Sequence, residues 1–177
     1  MRKILMLLFC VVVFSGQLSA VTCVITESAE TFQNKFVDNQ DGTVIYTKNG
    51  LVWKRCSEGQ VWEEGSCLGD ANTYTWEEAL QQAEKVNREG GFAGFNHWRL
   101  PNIKELALIV ERQCVNPAIN ESMFPNTATS KMYWSSSPYA KASELVRGVS
   151  FDFGFDTIGD EDAHFFVRFV TSGGHSD

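Results

Sequence analysis

Four sets of residues in this 177-residue chain have types and spacing that could support chemistry. The five cysteines, Cys10, Cys23, Cys56, Cys67 and Cys114, could pair or bind metal. No C-x-x-C occurs and the histidines stand apart, so the usual zinc spacings are missing. Asp152, Asp156, Asp160, Glu161 and Asp162 are the densest acidic stretch. Calcium, which takes about six to eight oxygen ligands, is the one cofactor these carboxylates would suit. The competing reading is a solvated hairpin whose charges keep an edge strand from pairing. Ser135, Ser136 and Ser137 follow Tyr133-Trp134, with His164 downstream and acids nearby. A Ser-His-Asp triad assembles in space and cannot be read from order. The serines sit in a predicted strand instead of a strained elbow, so hydrogen-bonded strand hydroxyls are the expectation. Finally, His97, Trp98 and Arg99 lie in GGFAGFNHWRLP and, with Trp134, are candidates for a ligand-binding, sugar-stacking surface. The structural alternative has Trp98 and Leu100 plugging the core and Arg99 in an ion pair. G-x-S-x-G, H-E-x-x-H and Gly-rich phosphate loops are all absent. Asp38, Gln40 and Gly42 miss the EF-hand spacing. Asn120-Glu121-Ser122 fits the N-glycosylation triplet, which only a eukaryotic secretory route would use.

Several elements must position these residues. Arg2-Lys3, the apolar run Ile4 to Phe14 and a cleavage site after Ala20 have the layout of a secretory signal peptide, residues 1–20. The run is too short to span a bilayer as a helix, and no later stretch is apolar enough. The chain is therefore expected to be exported to the periplasm, cell surface or medium, with no transmembrane segment after cleavage. Four cysteines then remain in an oxidising compartment and read as two disulfides with three connectivities. Cys56 and Cys67 flank a short loop and are natural partners, leaving Cys23 for Cys114. After an N-terminal segment, 21–34, one domain is expected over 35–171, followed by a polar tail, 172–177. Within it, residues 35–55 read as three strands turned at Asp41-Gly42 and Asn49-Gly50. A capping box at Thr75 opens a helix with apolar Trp76, Ala79, Leu80, Ala83 and Val86, closed by Gly90-Gly91. A second helix, capped by Asn102, is predicted to run to about Cys114. KMYWSSS, ELVRGVSFDFG and HFFVRFV read as strands with alternating Val149/Phe151/Phe153 and Phe165/Val167/Phe169. Strands, two helices and strands again make an α+β domain. The formal charge of −7, made more acidic by loss of Arg2 and Lys3, excludes nucleic acid and disfavours anionic membrane surfaces.

Six segments occur in order: FVDNQDGTVIYTKNGLVWKRC, YTWEEALQQAE, HWRLPNIKEL, NPAINESMFPNT, YWSSSPYA and VRFV. Together they resemble the Lcl C-terminal-domain family, named from the Legionella collagen-like protein. The resemblance implies a compact α+β domain related to the C-type-lectin-like fold, with antiparallel sheets, two helices and two disulfides. That fold class also holds formylglycine-generating-enzyme-like proteins and retroelement-diversified binding proteins. Members often sit in secreted or surface proteins, and the namesake domain is an adhesin module for sulfated polysaccharide. This chain departs from that pattern in lacking a collagen-like repeat and a basic stripe for sulfates. It has no cysteine after Cys114, where the formylglycine-generating enzymes use a pair, and no E-P-N or Q-P-D sugar motif. The expectation is a non-enzymatic, cofactor-free binding or adhesion module for a glycan or protein ligand, which could be a homo-oligomer. The alternatives are a structural or assembly component of the bacterial cell envelope and, last, a formylglycine-generating-type enzyme.

Overall fold

The computed structural model describes Thr22–Cys23 and residues 35–173. The signal peptide, most of the N-terminal segment and the end of the tail lie outside the described residues. Two sheets carry the domain. The first has the order β13-β4-β3-β2, all antiparallel, from β2 (Phe36–Asp38), β3 (Thr43–Tyr46), β4 (Leu51–Lys54) and β13 (Val170–Thr171). The second has the order β11-β10-β9-β12-β7. Its strands are β7 (Thr73–Tyr74), β9 (Tyr133–Pro138), β10 (Leu145–Ser150), β11 (Phe155–Asp160) and β12 (Phe165–Phe166). Only the β12–β9 pairing is parallel. Among the described residues two small antiparallel pairs are added, the long-range β1 (Thr22–Cys23) with β8 (Cys114–Val115) and the hairpin of β5 (Val61–Glu63) with β6 (Ser66–Leu68).

The three strands predicted in residues 35–55 form as read, because their turns are locally determined. Asp41 Oδ1 accepts the Thr43 amide at 2.9 Å, and Gly42 adopts φ +90°. A Cβ at Gly42 would stand 2.8 Å from the Phe92 ring and 2.9 Å from Trp62. Gly50 takes φ +71° beside Asn49, whose Oδ1 accepts the Leu51 amide. The helix α1 (Trp76–Arg88) also starts as predicted. Thr75 Oγ1 accepts the Glu78 amide, and Glu78 returns a carboxylate oxygen to the Thr75 amide. Ala79 and Ala83 are buried, but Leu80, on the shoulder of the apolar stripe, is exposed.

Three expectations are corrected. The second helix, α2 (Ile103–Leu106), tightens into a 3-10 turn at Ala107–Ile109 and stops well short of Cys114. Beyond it, β-branched Val110 bridges Ile119, and the Glu111 amide donates to Ala118, so this backbone is bonded across the chain instead of along a helix. ELVRGVSFDFG is not one strand: β10 ends at Ser150 and residues 151–154 turn, with Phe151 buried and Phe153 exposed. The turn leads into β11, a strand whose FDTIGD sequence has no apolar alternation. HFFVRFV is not one strand either. It gives β12 to one sheet and β13 to the other, and residues 166–170 are all buried in passing between them. A segment covered on both sides has no solvent face, so its period-2 pattern carries no orientation.

That crossing places Arg168 at zero exposure. Its guanidinium donates to the carbonyls of Lys54 and Arg55 and to Thr127 Oγ1 at 2.8 Å, and lies 5.0 Å from the Phe124 ring. Two apolar clusters flank it. One is centred on Trp53, Leu106, Phe124, Tyr133 and Phe151, the other on Trp98, Trp134, Val167 and Phe169. Cys23–Cys114 and Cys56–Cys67 are disulfides. The first joins β1 to β8 and the second braces the β5–β6 hairpin. These cross-links are consistent with an exported domain, and among the described residues no helix is long and apolar enough to cross a membrane.

Candidate functional site

The four residues expected to form a ligand surface are not brought together as one. Trp98 is 2% exposed, and its indole Nε1 donates to the Phe95 carbonyl at 2.9 Å. Asn87 clamps its backbone, accepting the Trp98 amide and donating to its carbonyl. Trp134 is fully buried, with Nε1 donating to the Tyr74 carbonyl at 2.8 Å and its ring edge-on to Phe165. Neither tryptophan can stack on a sugar. Arg99 forks onto both carboxylate oxygens of Glu105 at 2.8 Å. Burial lifts the Glu105 carboxyl, but the Arg99 and Asn102 hydrogen bonds and the Arg99 charge outweigh it and hold the carboxyl below its ordinary value. Only His97 of the four is exposed without such a role. Gly91 serves close packing, since a Cβ there would lie 1.9 Å from the Phe95 carbonyl oxygen, whereas Gly90 at φ +100° meets open space.

The acidic run is also dispersed. Asp156 pairs with Arg147 across β10 and β11. Asp160 Oδ1 accepts the Asp162 amide at 3.0 Å in a local turn. Asp156 and Asp160 lie four residues apart on an extended strand, which separates them by about 13 Å. Asp152 sits in the turn before β11. Among the described residues no three His, Cys, Asp or Glu side chains converge on one cation position, so Asp152, Asp156, Asp160 and Asp162 are not brought together as a cluster. Two serines of the triplet are bonded to backbone. Ser135 Oγ donates to the Arg147 carbonyl at 2.7 Å, and Ser137 Oγ accepts the Ile103 amide. His164 faces Glu78, at 3.9 Å, and not these serines.

A site the sequence reading did not single out lies along α1. Its polar face meets β7 and the loop before β12 around a cavity of 480 Å³. Glu78, Gln81, Gln82, Lys85 and Arg88 line it from the helix, with Thr73, Tyr74 and His164 opposite. The arrangement is held from behind. Gln82 Nε2 donates to Glu58 Oε1 at 3.0 Å, and Lys54 Nζ pairs with Glu58 Oε2 at 3.0 Å. Lys54 itself sits 4.9 Å over the Phe92 ring. This series of contacts fixes the Gln82 amide at the groove wall. Burial raises the Tyr74 phenol above its ordinary value; the Asn72 bond opposes this, while the charges of Glu58 and Glu78 add to it. Tyr74 is therefore a neutral hydroxyl at physiological pH, able to donate and accept. The groove offers amides, a phenol and both signs of charge, a set suited to hydrogen-bonding a hydroxylated ligand and not to nucleophilic attack. The helical spacing of these residues was visible in the chain, but any solvated helix face gives the same signal.

A comparison with curated proteins finds none that matches. The family model of the Lcl C-terminal domain matches residues 42–171, which takes in both sheets except β2, both helices, the α1 groove and the Cys56–Cys67 brace. By that match over most of its length, the chain belongs to the Lcl C-terminal domain family.

Proposed function

We propose that this protein is a non-enzymatic, extracellular or cell-surface binding module that takes a hydroxyl-rich glycan in the groove along α1. Family membership and two disulfides support the extracellular or surface setting. The observation that carries the ligand reading is Gln82, an amide held by the Glu58–Lys54 pair and lining, with Tyr74, a 480 Å³ groove. Sugars are recognised by such fixed amides and phenols, because each hydroxyl both donates and accepts. Lys85 and Arg88 are opposed by Glu78 in the groove, and the chain carries a net charge of −7, so weakly charged glycans fit better than sulfated ones. The commitment of Ser135 and Ser137 to backbone partners supports a binding role over acyl-transfer chemistry.

A glycan array probed with the disulfide-bonded chain tests this. Saturable binding to a subset of neutral glycans is expected, weakened about tenfold or more by Gln82→Ala, which leaves a preset polar contact unmade. Binding unchanged in Gln82→Ala and Tyr74→Ala, or silence across the array, would reject the groove as a glycan site.

A further inference from the structure

β11 ends the five-stranded sheet, and among the described residues no other strand meets its outer side. The Glu161 amide donates inward to the Glu144 carbonyl at 2.9 Å. Antiparallel ladders alternate inward and outward residues, so Gly159, Thr157 and Phe155 bond toward β10 while Asp156 and Ile158 turn their amides and carbonyls outward. The next outward carbonyl, that of Asp160, is taken by Ala163. What is left is a short, unpaired row of backbone donors and acceptors. The side chains beside it are apolar to an unusual degree for a free edge: Phe155 is 68% exposed, Phe153 52% and Ile158 45%. The rings of Phe153 and Phe155 stack on each other, with centroids 6.3 Å apart, and present a common face.

Charge decides what could cover this edge. Asp152, Asp156, Asp160 and Asp162 border it, and Arg147 is the one cation paired to any of them among the described residues. A second copy of β11 would bring the same carboxylates against these, which is destabilising across paired strands. A strand carrying basic residues would meet complementary charge on either side of the apolar positions. The acids that guard the edge against its own kind thus admit a different partner.

We propose that β11 is a docking edge for an extended segment of another protein in which Lys or Arg alternates with apolar residues. The segment is held by strand addition, with the Phe153–Phe155 pair as its apolar anchor. The test uses the disulfide-bonded full chain and a short fluorescent peptide alternating Lys with Val. A Glu/Val peptide and a Lys/Val peptide N-methylated on alternate amides serve as comparisons. Saturable binding of the parent peptide is expected, with both comparison peptides about tenfold weaker or worse. Ile158→Pro removes an outward amide without touching the β10 ladder and should abolish binding at unchanged circular dichroism. Phe155→Ser should weaken it severalfold at unchanged melting temperature. Equal binding by the N-methylated peptide, retained binding in a folded Ile158→Pro variant, or no saturable binding of the parent would each overturn the proposal. Self-association in sedimentation that Ile158→Pro removes would also overturn it, in favour of a second copy. If Ile158→Pro fails to fold, the N-methylated peptide decides, since it leaves the protein unaltered.

Discussion

The five-stranded sheet ends in two different ways. At one edge β7 is only two residues long, and α1 follows it directly, so the edge becomes the wall of a polar groove. At the other, β11 runs six residues with no further strand beside it among the described residues and three apolar side chains exposed there. Both are accepted means of handling a sheet edge: brevity and cover in one case, flanking charge in the other. The contrast assigns different kinds of recognition to them. The β7 edge presents side chains fixed by other side chains, which suits a small polar ligand. The β11 edge presents backbone, which suits another chain. One residue ties the two together, since Phe165 packs against Trp134 behind β7 and fills the space left by Gly159 in β11.

The largest disturbance of this pairing should come from Trp134→Ala. It removes a fully buried indole and the bond that holds the Tyr74 carbonyl, at a cost of about 4 kcal/mol. Chemical denaturation should register that loss, and a cost under about 1 kcal/mol would mean β7 does not depend on Trp134. Gly159→Ala attacks the β11 side. Its Cβ would lie 2.4 Å from the Phe165 ring and 2.7 Å from the Met132 methyl, and the packed ring cannot retreat freely. A loss of about 2 kcal/mol is expected, read from the same denaturation midpoint, and a neutral result would show the two edges to be uncoupled. Thr75→Ala touches only the helix that covers β7. Loss of its hydroxyl bond to the Glu78 amide should cost about 1 kcal/mol and lower glycan affinity while sparing peptide binding at β11.

The smallest effect is one of pH. Burial raises the Glu111 carboxyl above its ordinary 4.5, against the opposing influence of the Gln113 amide and the Lys35 charge. Glu111 donates its amide to Ala118, which in turn bonds Phe151 at the turn into β11. An acid with a raised folded value holds its proton longer folded than unfolded. Its stabilisation is complete below the unfolded value and is lost as pH rises through the folded one. Glu111→Gln, neutral throughout, should match the native melting temperature in acid and exceed it increasingly toward neutrality. A gap that narrows as pH rises would contradict this sign.

How far the chain alone reveals these features depends on how local they are. The hairpin turns at Gly42 and Gly50, the Thr75 and Asn102 caps and the Cys56–Cys67 loop each rest on partners within a few residues or one short loop, and all were readable. The ion-pair role of Arg99 and the core role of Trp98 were readable for the same reason, because Glu105 and Phe95 are close in sequence. The groove was not. Its key contact joins Gln82 to Glu58, and its wall depends on Trp134 reaching Tyr74, 60 residues away. The acidic run is dense in sequence, but the fold draws it out along a strand and its turns, a spacing that sequence density does not reveal.

By itself, then, the sequence determined the α+β class, the family, the Cys56–Cys67 pair, the caps and the turns, since short-range hydrogen bonds, short loops and backbone preferences act within a few residues of the groups that set them; Cys23–Cys114, 91 residues apart, followed only as the remaining pair. The tertiary structure alone decided that residues 166–170 cross buried between two sheets, that Arg168 takes its partners there, and that the second sheet closes at β7 and stays open at β11. Those outcomes depend on which distant segments compete for the same backbone groups and the same buried volume, and a linear pattern of residues does not specify the winner.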